Sequence, residues 1–175
     1  MKVKDREFEV FIDRENIAKR VKELGNVISK EYEGLEPIFV VVLNGGFMFA
    51  SDLLKEVSIP CHVSFVKVSS WHGIESSGSV KKLLGLQEDI KGKHIIVVDD
   101  IVDTGLTMKE IIEDLRKEEP ASIEIASFII KPEALSHPIE TKYVGFTIPE
   151  HFILGYGLDY EGLGRNLKDI YRLKS

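Results

Sequence analysis

His94-Ile-Ile-Val-Val-Asp-Asp-Ile-Val-Asp-Thr-Gly-Leu-Thr107 is the stretch that decides the fold. Its β-branched run, Ile95 to Val98, marks a strand buried on both faces in a parallel sheet. Asp99 and Asp100 stand where that strand is expected to end, and a short loop with Asp103, Thr104, Gly105 and Thr107 follows. Ile111, Ile112 and Leu115 then recur at helical spacing. In open α/β sheets, ligands bind just beyond the carboxyl ends of the strands. Backbone N–H groups at a helix start, joined by Thr hydroxyls, make a site for phosphate. Carboxylates do not attract phosphate; they accept hydrogen bonds from sugar hydroxyls and help to hold Mg²⁺. The local chemistry points to a ribose, a phosphate and a metal. Hydrophobic-Asp-Asp endings also occur in receiver domains and hydrolases, but the added Asp-Thr-Gly-x-Thr supplies acid and phosphate cradle together.

The frame around this stretch is that of one soluble domain. The chain has 175 residues, 43% of them hydrophobic and 30% charged, enough for one sizeable core and short for two. It carries no apolar run of membrane-spanning length, and its charged start does not resemble a signal peptide. The single cysteine, Cys61, fits a reducing cytoplasm and reads as a strand residue. A formal charge of −6 argues against a general nucleic-acid surface.

Moving outward, residues from about Asp13 to Tyr32 place Ile17, Val21, Leu24 and Ile28 on one helical face, with Asp13 as N-cap. Ile38 to Leu43 is a second buried strand, followed at once by Asn44-Gly45-Gly46, where a ligand could approach the backbone closely. Phe47 to Val57 is helical in pattern. Cys61 to Val68 reads as a strand with Val63, Phe65, Val66 and Val68 available for burial. Ser69 to Ser79 is small, polar and glycine-interrupted, the profile of a mobile loop or of a surface hairpin. Ser122 to Ile130 is a further strand, ending at Lys131. If the sheet is parallel there, Lys131 points into the same crevice as Asp99 and Asp103.

These residues resemble the phosphoribosyl-diphosphate (PRPP) binding motif of the purine phosphoribosyltransferases. The C-terminal segment Lys142 to Tyr160, with Gly-Tyr-Gly-Leu-Asp-Tyr at its end, closely resembles the hood of the hypoxanthine-guanine branch. The resemblance runs from about residue 8 to 173. It implies the type I phosphoribosyltransferase fold, a mostly parallel sheet flanked by helices. One domain, 1–175, would divide into a core of about 13–148, a hood of about 1–12 and 149–175, and a lid loop of about 69–82.

The resemblance also implies roles. Asp99 and Asp100 would hold the ribose hydroxyls, and Thr104, Gly105, Leu106 and Thr107 would wrap the 5′-phosphate. Leu43, Asn44 and Gly45 would touch the pyrophosphate, with Arg165 reaching it too. Some members carry a basic residue where this chain has Asn44. Lys131 would donate to O6 of the base, Phe152 would stack on it, and the Ile153 backbone would meet its polar edge. Asp159 would lie near the base and near a metal on the pyrophosphate side; Mg²⁺ would be held with the help of Asp99, Asp100 and Asp159. The lid would carry Ser70 and Trp71, where the family has a Ser-Tyr pair.

The implied reaction joins a purine to C1 of the ribose as pyrophosphate leaves, with Asp103 taking a proton from N7. Lys131 favours 6-oxopurines over adenine, whose amino group would face it donor to donor. Hypoxanthine, with guanine, is the expected base, and purine salvage the role. A xanthine-preferring enzyme, or a PRPP-sensing regulator of the same fold, are the alternatives. A cytoplasmic homodimer or homotetramer, without nucleic-acid or membrane partners, completes the expectation.

Overall fold

The computed structural model describes residues 1–68, 83–86 and 88–174. Ser70, Trp71 and the rest of 69–82 lie outside the described residues. The chain opens with two short strands, β1 (Lys2–Val3) and β2 (Arg6–Ile12), and then helix α1 (Arg14–Glu31). Asp13 caps α1 by accepting from Asn16 N at 2.8 Å, and Ile17, Val21, Leu24 and Ile28 form its buried stripe. Next come β3 (Ile38–Leu43), α2 (Phe47–Glu56), β4 (His62–Val68) and β5 (Leu83–Leu84). The central strand β6 (His94–Val102) leads into α3 (Leu106–Arg116), followed by β7 (Ser122–Ile130), β8 (Tyr143–Thr147), β9 (Ile153–Leu154) and β10 (Ile170–Leu173).

The main sheet has the order β5-β4-β3-β6-β7-β8, with every pair parallel except the short antiparallel β5. Helices cover both faces. Phe39, Val41, Ile96, Val98 and Phe128 pack under α1 and α2, whereas Val40, Val42, Ile95, Val97 and Ile125 pack under α3. Burial on both faces is why β3 and β6 are continuous apolar runs; each such side chain contributes about 1.5–3 kcal/mol. Strand order reverses between β3 and β6, where β4 is added on one side and β7 on the other. Ligand crevices form at such a switch point.

A second, antiparallel sheet, β1-β2-β10-β9, joins the two ends of the chain, pairing Phe8 with Leu173 and Ile12 with Ile170.

Two sequence expectations need correction. β6 does not stop at Asp99: it continues through Val102, because Asp99, Ile101 and Val102 pair with Ser127, Ile129 and Ile130 of β7. Val63 and Phe65 are not buried but 37% and 50% exposed. Alternation sends Ser64 and Val66 into the core and leaves Val63 and Phe65 on the opposite face.

Candidate active site

Asp99 and Asp100 sit inside β6, beyond the last rung it shares with β3 at Val41 and Val98. Consecutive in the strand, they line one cleft together. Both are buried, and Asp100 N donates to Asp99 Oδ1 at 3.0 Å. Burial, and then the charge of Asp100, push the Asp99 carboxyl well above the ordinary range. Asp100 is also raised by burial, a push that the Arg165 guanidinium opposes. A buried acidic pair of this kind accepts hydrogen bonds from vicinal hydroxyl groups or binds a cation, and either would relieve the cost of its charge.

The turn from β3 into α2 lies against this pair. A Cβ on Gly45 would come 1.7 Å from Asp100 Oδ2, and one on Gly157 would come 2.1 Å from Gly45 O. Backbone, carboxylate and C-terminal loop approach so closely that no side chain fits between them. The Leu43–Asn44 peptide bond is cis. Leu43, Asn44, Gly45, Asp99, Asp100, Thr107, Asp159 and Arg165 line one cleft of about 300 Å³. Arg165 is held there by two contacts, Nη1 to Gly157 O at 2.6 Å and Nη2 to Asp159 Oδ1 at 2.5 Å. Asp159 also accepts from Gly162 N at 2.7 Å.

An adjoining cleft of about 190 Å³ is lined by Asp99, Asp103, Thr104, Gly105 and Thr107, with Val102 and Met108 behind them. Gly105 adopts φ 81° at the start of α3, a conformation costly for a residue with a Cβ. The helix ladder begins with Lys109 N bonded to Gly105 O at 3.0 Å, so the amides of the preceding turn have no partner inside the helix. That concavity suits an anion. A buttress that the sequence did not reveal supports it from behind. Ser136 N and His137 N both donate to Thr104 O, at 3.2 and 3.1 Å. No local pattern announces this contact, which spans some 30 residues of chain.

Lys131 follows β7, and its Nζ lies 3.5 Å from Asp103 Oδ2. Ile153 is buried on β9 and pairs with Arg172, whereas Phe152 beside it remains 46% exposed. Neither lines the two clefts just described. Two roomier cavities lie elsewhere, about 500 Å³ beside Ala18, Met48 and Asp52, and about 370 Å³ between α3 and β7; none of the expected site residues lines them. Among the described residues, no group of three or more His, Cys, Asp or Glu side chains converges as a metal cage. The oxygen donors present suit a hard cation that keeps several waters and shares its coordination with a ligand's own oxygens, as Mg²⁺ does.

A five-stranded parallel sheet with this crevice is the architecture of the type I phosphoribosyltransferases. The phosphoribosyl transferase domain matches residues 11–161, and the chain belongs to that family. It is 40% identical over 166 residues to the hypoxanthine-guanine phosphoribosyltransferase of Lactococcus lactis, covering 94% of this chain and 90% of that one. The Staphylococcus aureus enzyme of the same name is 41% identical over 167 residues, covering 95% and 93%. A crystal structure of a hypoxanthine-guanine phosphoribosyltransferase from Bacillus anthracis superposes with a TM-score of 0.88 at 33% identity, covering 97% of this chain and 100% of that one. No helix among the described residues is long and apolar enough to cross a membrane.

Proposed function

We propose that this chain is a purine-salvage transferase that moves the 5-phosphoribosyl group of PRPP to N9 of a 6-oxopurine, hypoxanthine and also guanine, releasing pyrophosphate. The observation that carries this reading is the meeting, around one strand end, of a buried acidic pair, an anion-suited helix start and the Lys131–Asp103 pair.

Displacement at C1 builds positive charge on the sugar and negative charge on the leaving group. Asp99 and Asp100 hold the ribose hydroxyls, and Thr104 to Thr107 hold the 5′-phosphate. The turn at Leu43, Asn44 and Gly45, with Arg165, receives the pyrophosphate as its charge grows. Asn44 brings no cation, so backbone contacts there carry more of the task. Lys131 donates to O6 while Asp103 takes the proton from N7. Phe152 stacks on the base and the Ile153 backbone meets its edge. Asp159, with Asp99 and Asp100, supplies the oxygens that would hold Mg²⁺. When bound, the ion neutralises diphosphate charge.

We read residues 1–175 as one domain, with the terminal sheet as the hood over a core of about 13–148. Exposed Val63 and Phe65 support assembly into a homodimer or homotetramer, and the lone cysteine supports a cytoplasmic setting. The test is to incubate the protein with PRPP, Mg²⁺ and each of hypoxanthine, guanine, xanthine and adenine, and to measure nucleotide formed. IMP and GMP are expected. Failure of every 6-oxopurine would overturn the reading, and XMP alone would move it to xanthine.

A further inference from the structure

Phe152 is an exposed ring that meets two other aromatics. Its centroid lies 5.6 Å from that of Tyr160, with the planes at 85°, and 6.2 Å from that of Phe8. Phe8 and Tyr160 are themselves 6.1 Å apart, so the three rings close a triangle in which Phe8 is fully buried. The Tyr160–Phe152 contact is edge-to-face, whereas both contacts of Phe8 are tilted, at 45° and 53°. An edge-to-face contact prefers one relative orientation, and so fixes the tilt of an otherwise free ring. Tyr160 is in turn held at several points. Its hydroxyl donates to Asp5 Oδ1 at 2.8 Å, and the Arg6 guanidinium sits 5.9 Å from the ring centroid. Its backbone N–H and C=O both bond to Leu163, at 2.9 and 3.1 Å. The turn between β1 and β2 therefore anchors the ring that meets Phe152.

We infer that Tyr160 is a positioning residue for the purine, setting the angle of the Phe152 ring and borrowing its own rigidity from Asp5. This rests on the reading of Phe152 as the stacking ring. An aromatic held in advance at the stacking angle loses less freedom when the base arrives, so affinity for the base should depend on Tyr160 although Tyr160 does not touch it.

The experiment measures KM for hypoxanthine and for PRPP separately, with kcat, in Phe152→Ala, Tyr160→Leu, Tyr160→Phe and the double variant Phe152→Ala/Tyr160→Leu. Tyr160→Leu should raise the hypoxanthine KM roughly two- to tenfold, the size of an aromatic pair contact, while the PRPP KM and kcat stay near native. Tyr160→Phe keeps the ring and should restore most of the loss. The double variant should be no worse for hypoxanthine than Phe152→Ala alone, because Tyr160 acts through Phe152. An unchanged hypoxanthine KM in Phe152→Ala would overturn the stacking reading and the inference with it. A rise in Phe152→Ala but not in Tyr160→Leu, or an equal rise for both substrates in Tyr160→Leu, would overturn the inference alone. Should Tyr160→Leu not fold, Asp5→Ala takes its place: a smaller rise confined to hypoxanthine is expected, and native constants would overturn the inference.

Discussion

Lys131 Nζ stands 3.5 Å from Asp103 Oδ2, a separation long for a charge-assisted hydrogen bond. The lysine side chain is 12% exposed and the aspartate 51%, so one partner is packed in place and the other is open to solvent. A donor and an acceptor are thus set side by side without being tightly spent on each other. Such a pair matches a planar ligand edge that offers an acceptor next to an N–H, as O6 and N7 of a 6-oxopurine do.

Asp103→Asn keeps the size of the side chain and removes its ability to take a proton. Nucleotide formation should slow by roughly 10²–10⁴-fold, the range for a positioned general base. PRPP binding, measured by calorimetry, should persist. Native turnover in this variant would remove Asp103 from the proton transfer.

Lys131→Met preserves length and packing but deletes the donor. Losing a hydrogen bond from a charged group costs roughly 1.5–3 kcal/mol, so the hypoxanthine KM should rise about 10- to 150-fold, with the PRPP KM little changed. Comparable losses for both substrates would instead assign the lysine to the phosphate or to the fold.

Gly45→Ala places a methyl where Asp100 Oδ2 already is, 1.7 Å from the ideal Cβ. The turn or the carboxylate must move, and overpacking of this kind costs about 1–3 kcal/mol. Thermal unfolding should shift downward, and PRPP titration should show weakened binding. A variant with native melting and native PRPP affinity would contradict the close approach.

Asp99→Asn tests the electrostatic cost of the acidic pair. Because the folded chain raises this carboxyl, ionising it costs more in the fold than in the unfolded chain. Its contribution therefore favours the fold most at low pH. That advantage declines as pH rises from the ordinary aspartate value through the raised one. Asparagine removes this dependence, so the variant should gain on the native protein as pH rises, while binding PRPP less well. Chemical denaturation at a series of pH values reads the difference; an Asp99→Asn protein less stable at neutral pH would refute the argument.

The sequence by itself determined the parts whose causes are local. Continuous apolar runs at Ile38–Leu43 and Ile95–Val98 can be satisfied only by a sheet covered on both sides. Asp13 with the stripe from Ile17 to Ile28 defines a capped amphipathic helix; Asp103 to Thr107 read as one loop in the sequence, whereas Leu106 and Thr107 already belong to the first turn of α3. Pairing between distant segments left no such mark. Nothing near Asp99 says that β7 will carry the strand on to Val102, or that the turn at Gly45 will close against Asp100; burial in the folded chain is what raises both carboxylates. Alternation alone does not say which side of β4 is covered, and so Val63 and Phe65 came out exposed. The grip of Ser136 and His137 on Thr104, and the meeting of Phe8 and Asp5 with Tyr160, join residues far apart in the chain. Only the closing of the tertiary structure brings such groups within a few ångströms, because short-range contact energies are felt after the chain has folded and not along its sequence.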